Sequence, residues 1–345
     1  MYAESLILGD KCLKTNEYKV RNELVANKAD WQYRFSARCL QLAINDLNKA
    51  WKNFFNKSLP DWGKPQFKSK KAPRQGFKTD RAKIVSGKLR LDKPRETGYQ
   101  WFDIRFKGAE SIDGDLKTIS VYRENGKYWA SLPFEVDIER KTKTNHVTAV
   151  DVNVGHINYT GGKINTLPAN LKRLYKRIKH YQRMLAKKRV VNGKRATKND
   201  NYVKTRAKLQ RDYRKVANIQ HDIMQKFTTK LVTQYDKIVI ENLAVKEMQM
   251  THVASKGLQR SMFGYFRQIL SYKCDQYGKK LILADKFYPS TQRCSKCGHV
   301  KTGSEKVGLN GNLKHGTKHN EYICYECGFN CNQDENAVLN LLALI

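Results

Sequence analysis

The chain of 345 residues sets 66 Lys and Arg against 32 Asp and Glu, a formal net charge of +34. Its 40% hydrophobic residues suffice for a core, while 28% charged residues and a longest apolar run of Ala337 to Ile345, broken by Asn340, exclude a membrane-spanning helix. So much positive charge repels itself, and nucleic acid is the default partner, because phosphates take up Lys and Arg and release counterions. An anionic membrane surface is the alternative, but no long amphipathic apolar face accompanies the basic runs, so no membrane partner is expected. Met1 to Asp10 shows no basic region leading into a long apolar stretch, so no signal peptide is visible there, and the cysteine usage fits a reducing cytoplasm.

Residues 1 to 30 are polar and carry no assignment. From Ser36 to Phe55, Leu40, Ala43, Ile44, Leu47, Ala50, Trp51, Phe54 and Phe55 recur with the helical period on one face, which predicts a packing helix. Between Trp62 and Arg140 the pattern changes. A basic loop, Gly63 to Lys71, precedes short β-branched and aromatic runs at Lys83, Lys88, Trp101, Thr118 and Tyr128. Asn125-Gly126 between the last two reads as a two-residue hairpin turn, and strands at this spacing predict a small β-barrel. The basic and aromatic residues here suit a nucleic-acid grip and a solvated sheet face about equally well.

His146 to Val154 is a strand with one carboxylate, Asp151, inside an apolar run, where an acid is costly unless paired or metal-bound. A short hairpin through Gly161-Gly162 follows. Leu171 to Lys215 is dense in cations, with Leu171, Leu174, Ile178 and Leu185 as a narrow apolar seam, and predicts two helices around a loop near 190–200. Lys172, Arg173, Lys176, Arg177, Arg183, Lys187 and Lys188 on the first helix, with Arg206, Arg211 and Arg214 on the second, form a candidate nucleic-acid groove. Only Asp200 and Asp212 offset them, which favours that reading over a solvated face. The second helix runs on toward Leu231. Asp236 to Leu243 is a strand with Glu241 at its C-terminal end, where chemistry gathers in open α/β sheets. A helix from Met262 to Tyr277 and a strand from Lys280 to Ala284 follow.

Two Cys-x-x-Cys-Gly units then face each other across a polar insert, Cys294 and Cys297 before it, Cys324 and Cys327 after it. Each supplies two thiolates from one tight turn, and together they predict a tetrahedral structural Zn²⁺ site, a zinc ribbon. A pair of disulfides is the bland alternative, and His315 with His319 offers a rival ligand set. Cys331 is the spare thiol in the four-cysteine reading.

Asp334 opens a short apolar C-terminal segment, so three acids, Asp151, Glu241 and Asp334, sit in comparable settings. Strand and hairpin, helix pair, strand, helix, strand, insert and helix is the order of an RNase H-like α/β fold. Three gathered carboxylates raise one another's pKa values. Two Mg²⁺ ions would resolve that and could drive in-line phosphodiester cleavage.

The residues resemble the TnpB family, transposon-encoded RNA-guided nucleases akin to type V CRISPR effectors. The resemblance rests on Gly63 to Lys71, Ala149-Val-Asp151, Ala217-Asn218 with Asp222 and Lys226, Ile238 to Leu243, Tyr288-Pro-Ser with Cys294-x-x-Cys-Gly, and Cys324-x-x-Cys-Gly with Asp334-Glu-Asn336-Ala. It covers roughly residues 36 to 345. It implies a shortened helical recognition-like segment (1–60), a β-barrel wedge-like domain (61–143) and a RuvC-like α/β domain (144–290) containing the basic helical pair (171–230). A zinc-ribbon insertion (291–331) and the last RuvC-like helix (332–345) complete it. It further implies that Asp151, Glu241 and Asp334 are the catalytic, Mg²⁺-holding acids. The protein would then be a monomer in a ribonucleoprotein with a guide RNA, cutting paired target DNA in the prokaryotic cytoplasm around the nucleoid.

The chain departs from the family pattern in places. Ala149 and Asn153 stand where the family has two glycines, Asn332-Gln333 stands where it has Asp-Arg, and the chain reads as starting late. Those departures motivate a second expectation, a weak or inactive RNA-guided DNA binder. A transposase acting without RNA is the third; no His-hydrophobic-His pair with a nucleophilic tyrosine supports it.

Overall fold

The chain enters its first described helix, α1 (Glu17–Ala26), on a stretch that buries none of its side chains. The computed structural model describes residues 17–58, 62–69, 72, 74–92, 102–107, 113–124, 126–138, 140–191, 194–243, 257, 260–308 and 310–345. The chain divides into two units, Met1–Asp137 and Ile138–Ile345.

In the first unit, Ser36 caps α2 (Ala37–Phe55) by accepting the Arg38 N–H at 3.1 Å, as a hydroxyl at that position should. The expected apolar face is present but none of it is fully buried; Trp51 stacks on Phe55 and meets Phe54 edge-on. Eight short strands follow: β1 (Arg74–Thr79), β2 (Lys83–Val85), β3 (Lys88–Leu91), β4 (Phe102–Arg105), β5 (Asp115–Leu116), β6 (Ile119–Glu124), β7 (Lys127–Ser131) and β8 (Phe134–Glu135). Where one small barrel was expected, the described strands pair in three antiparallel sheets, β1-β6-β7, β2-β3-β4 and β5-β8. At the predicted hairpin, Glu124 pairs with Lys127 and Gly126 takes a φ of 75°. Asn125, Lys70 and Lys71 lie outside the described residues.

The second unit starts with β9 (Val147–Asn153), β10 (His156–Tyr159) and β11 (Gly162–Asn165), two successive antiparallel hairpins. The basic pair is α3 (Ala169–Lys188) and α4 (Asp200–Gln234), joined through a ribbon of β12 (Val190–Val191) and β13 (Lys194–Arg195). Leu171, Leu174 and Ile178 meet Val216 between the two helices. Gln182 reaches Tyr213 at 2.7 Å and Lys188 reaches Thr205 at 3.0 Å, so the helices run antiparallel. Next come β14 (Lys237–Ile240), α5 (Phe263–Tyr277) and β15 (Lys280–Leu283), then the cysteine segment with β16 (Glu321–Ile323) and β17 (Asn330–Asn332), and finally α6 (Gln333–Leu342).

The central sheet has the order β11-β10-β9-β14-β15, with β14 parallel to β9 and β15 parallel to β14. Alternation along the strands assigns its two faces. Val150, Val152, Ile238 and Ile240 pack with Met224, Phe227 and Leu231 of α4 and with Phe266 and Leu270 of α5. Ala149 and Val239 point the other way and meet Ala284 and, from α6, Val338 and Leu341. Burying those two α6 side chains contributes about 2 kcal/mol each. Asp236 fixes the entry to the sheet. It accepts the N–H groups of Thr144 (2.7 Å) and Asn145 (2.5 Å) and an ion pair from Lys279 (2.5 Å), whose side chain is 1% exposed. Among the described residues no helix is long and apolar enough to cross a membrane.

Candidate active site and metal centre

Asp151 shares the α6 face of the sheet with Ala149, because two residues along a strand restore the same side. Val239 pairs with Ala149 and Ile240 with Val150, so Glu241, the next residue on, stands abreast of Asp151. Asp334 arrives from the other end of the chain in the first turn of α6, whose cap, Asn332, accepts the Asp334 N–H at 2.9 Å. Three acids far apart in sequence thus occupy one end of one sheet face. They are looser than a closed metal cage: no choice of one oxygen from each brings all three within 4.8 Å of one another.

Other side chains hold the acids in place. The Asn153 amide nitrogen lies 2.6 Å from Asp151 Oδ2 and 3.2 Å from Asp334 Oδ1. His156 Nε2 lies 2.9 Å from Asp334 Oδ2, with Lys163 Nζ 3.9 Å from the same oxygen. Ser290 donates its hydroxyl to Glu241 at 2.5 Å. Burial, the Glu241 charge and, more weakly, Asp334 push the Asp151 carboxyl up to about 8, although the Asn153 amide pulls it down. Burial also raises Glu241, against the Ser290 hydrogen bond. Hard oxygen donors that resist sharing their charge are a donor set that suits Mg²⁺.

The four predicted cysteines form the one group of possible metal ligands, among the described residues, whose donor atoms all lie within 4.8 Å of one another. Cys294 and Cys327 sulfurs are 3.8 Å apart, and those of Cys297 and Cys324 are 3.6 Å apart. A tetrahedron of Zn–S bonds of about 2.3 Å has edges of about 3.8 Å, so the sulfurs fit Zn²⁺. Each knuckle closes by a glycine N–H donating to the first cysteine's carbonyl, Gly298 to Cys294 at 2.9 Å and Gly328 to Cys324 at 3.1 Å. Both glycines hold a positive φ, 79° and 66°, a turn that a Cβ would strain. At Cys324 burial is outweighed by the N–H groups of Cys327 and Glu326 and by neighbouring thiols, and the thiol falls to about 7. The rival histidines stay out of the cluster; His315 stacks on the Tyr325 ring instead.

Of the ten predicted basic contacts, Lys172, Arg173, Lys176, Arg177, Arg183, Lys187, Arg206 and Arg211 are exposed, while Lys188 and Arg214 are half-buried. Two serve the helix pair itself. Arg177 pairs with the buried Asp212 at 2.6 Å, and Lys188 holds Thr205. In the first unit, residues around α2, β1, β6 and β7 enclose a mostly apolar cavity of about 610 Å³ walled by Trp31, Phe35, Phe77 and Tyr128, with Arg34 and Arg123 beside them.

Sequence reasoning gave no role at the acids or the knuckle to Asn153, His156, Ser290 or the asparagines of α6. One signal was available. Val154-Gly155 is a two-residue turn with Gly155 at a φ of 91°, and such a turn makes Asn153 and His156 direct partners, as they are. Nothing in the sequence pointed Ser290 at Glu241.

Residues 263–341 match the family described as "Cas12f1-like, TNB domain", and residues 131–251 match the family described as "Probable transposase". The chain is 28% identical over 309 residues to a "Putative RNA-guided DNA endonuclease" of Streptomyces pristinaespiralis, spanning 88% of this chain and 70% of that protein. It is 26% identical over 336 residues to the "Putative RNA-guided DNA endonuclease InsQ" of Escherichia coli K12, spanning 92% and 77%. TnpB-like protein L79 of Acanthamoeba polyphaga mimivirus is 29% identical over 175 residues, 49% of this chain and 30% of that protein. Among solved structures, Cas12f1 in complex with its sgRNA and target DNA superposes with a TM-score of 0.56 at 16% identity, over 99% of this chain and 78% of that one. At that identity the likeness speaks to the fold.

Proposed function

We propose that the chain is a member of the TnpB family of transposon-encoded proteins and an RNA-guided DNA endonuclease of an insertion sequence. The observation that carries this reading is the convergence of Asp151, Glu241 and Asp334 on one end of one sheet face. The strand order β11-β10-β9-β14-β15, with two antiparallel hairpins feeding two parallel strands, supports an RNase H-like, RuvC-like assignment of this unit. The three sheets of the first unit are then the wedge-like part that holds guide RNA. The exposed cations of α3 and α4 are the face that grips the RNA–DNA duplex by backbone and shape. The four cysteines hold Zn²⁺ as a structural ribbon.

Mg²⁺ held by Asp151, Glu241 and Asp334 would activate the attacking water and stabilise the leaving 3′ oxygen. The chain's own part is to orient these acids. Strand pairing sets Asp151 beside Glu241, Ser290 fixes the Glu241 oxygen, and the α6 cap presents Asp334. The test is to purify the protein with co-expressed RNA, sequence that RNA, and follow cutting of matching DNA in Mg²⁺. Asp151→Ala should abolish cutting and leave RNA binding intact; equal cutting by both proteins would remove the assignment.

One observation favours a second reading, a guide-dependent binder that cuts weakly. The three acids are spaced more loosely than a closed metal cage, with no choice of one oxygen from each bringing all three within 4.8 Å of one another. Guide-dependent retention of DNA without cutting, at any Mg²⁺ concentration, would select it.

A further inference from the structure

We propose that Asn153 is a positioning residue of the acid site, whose side-chain amide ties Asp151 to Asp334 and sets the spacing at which the two carboxylates meet a divalent cation. The inference rests on the reading of these acids as a cation site.

Asn153 ends β9 on the Asp151 side of the sheet, since i and i+2 share a face. Its single amide nitrogen is 2.6 Å from Asp151 Oδ2 and 3.2 Å from Asp334 Oδ1. The two oxygens are therefore no farther apart than those distances laid end to end. An amide carries two protons, one for each acceptor, so both bonds are made at once. Asp334 lies 181 positions from Asn153 and is carried by a different element. Two like charges from separate elements drift apart unless a donor between them offsets the repulsion. His156, the direct cross-strand partner of Asn153, takes the other Asp334 oxygen at 2.9 Å. One hairpin thus grips both edges of the Asp334 carboxylate. Ser290 orients Glu241 separately, which leaves Asn153 as the bridge between acids. Each carboxylate has about four lone-pair positions, so an amide bond to one leaves room for a cation on the same group. Partners that orient ligating groups are worth about 10–100-fold in metal affinity.

The probe is Mn²⁺ added to the purified full-length chain, with free Mn²⁺ read by its paramagnetic resonance signal and thermal melts run alongside. Asn153→Ala should weaken Mn²⁺ binding about 10–100-fold. Asn153→Ser, which keeps one donor, should fall between it and wild type and carries the test if the alanine variant does not fold. In cleavage with guide RNA, the Mg²⁺ midpoint should shift by the same factor while the rate at saturating Mg²⁺ is retained. A purely structural asparagine would lower the melting temperature and leave the affinity alone. Wild-type or tighter Mn²⁺ binding by the Asn153 variants, with binding lost in Asp151→Ala, would overturn the inference and leave the cation-site reading intact. Wild-type Mn²⁺ binding by Asp151→Ala would overturn that reading itself.

Discussion

Asn336 donates its side-chain amide to the backbone carbonyl of Arg293 at 2.7 Å, across 43 positions of sequence. Asn340, one turn further along α6, donates to the same oxygen at 2.6 Å, and the Ser295 N–H returns a bond to the Asn336 carbonyl at 3.0 Å. The first cysteine knuckle is therefore fastened to the helix that carries Asp334.

Loss of that fastening should reach the acids. Asn336→Ala leaves the Ser295 N–H without its partner and the Arg293 carbonyl with Asn340 alone, and should cost about 1 kcal/mol of stability. Cutting should fall with it, while atomic absorption still finds zinc bound. Stripping the zinc with a chelator should produce the same defect in cutting from the opposite side. Full cutting by zinc-free protein would show that the ribbon and Asp334 are uncoupled.

The Asp236–Lys279 pair predicts a pH dependence. Chiefly the Lys279 hydrogen bond, with help from two backbone N–H groups, holds Asp236 down at about 2. A carboxylate whose folded pKa is depressed stabilises the protein above its ordinary pKa of about 4 and loses that contribution as pH falls toward 2. Lys279→Met should lower the melting temperature by several degrees at pH 6. The gap to wild type should close between pH 4 and pH 2, as thermal melts across that range will report.

Much of this was readable before any coordinates. Asp151 stood out because one acid interrupts a run that alternation places in a core, and Glu241 because it ends a second such run. The cysteines announced themselves by spacing alone. What the sequence hid were contacts between elements that only docking creates: Ser290 against Glu241, Asn336 against Arg293, Lys279 against Asp236. α1 was invisible for another reason, since a helix with no buried side chain has no periodic face to detect. The β12–β13 ribbon is two residues a side, below the length at which any pattern forms.

Arg177 separates structure from binding on the basic helices. Its partner Asp212 is buried to 1% side-chain exposure, so Arg177→Ala strands a charge and should cost about 3 kcal/mol. Arg173→Ala and Arg206→Ala, both at exposed positions, should leave the melting temperature unchanged. Each should instead weaken nucleic-acid binding and reduce the salt dependence by about one ion. Binding isotherms at several salt concentrations, paired with melts, distinguish the two behaviours.

Gly311 is a tight point of the insert. It has a φ of 80°, and a Cβ there would lie 2.4 Å from the carbonyl oxygens of both Thr317 and Lys318. Gly311→Ala should cost about 2 kcal/mol. The loss should appear as faster zinc release to a colorimetric chelator.

A ribosome delivers Asp151 and Glu241 well before it delivers Asp334. Until α6 emerges, Ala149, Val239 and Ala284 wait without the Val338 and Leu341 that cover them. The sheet face and the acid cluster are on this account completed in one event, when that ten-residue helix docks.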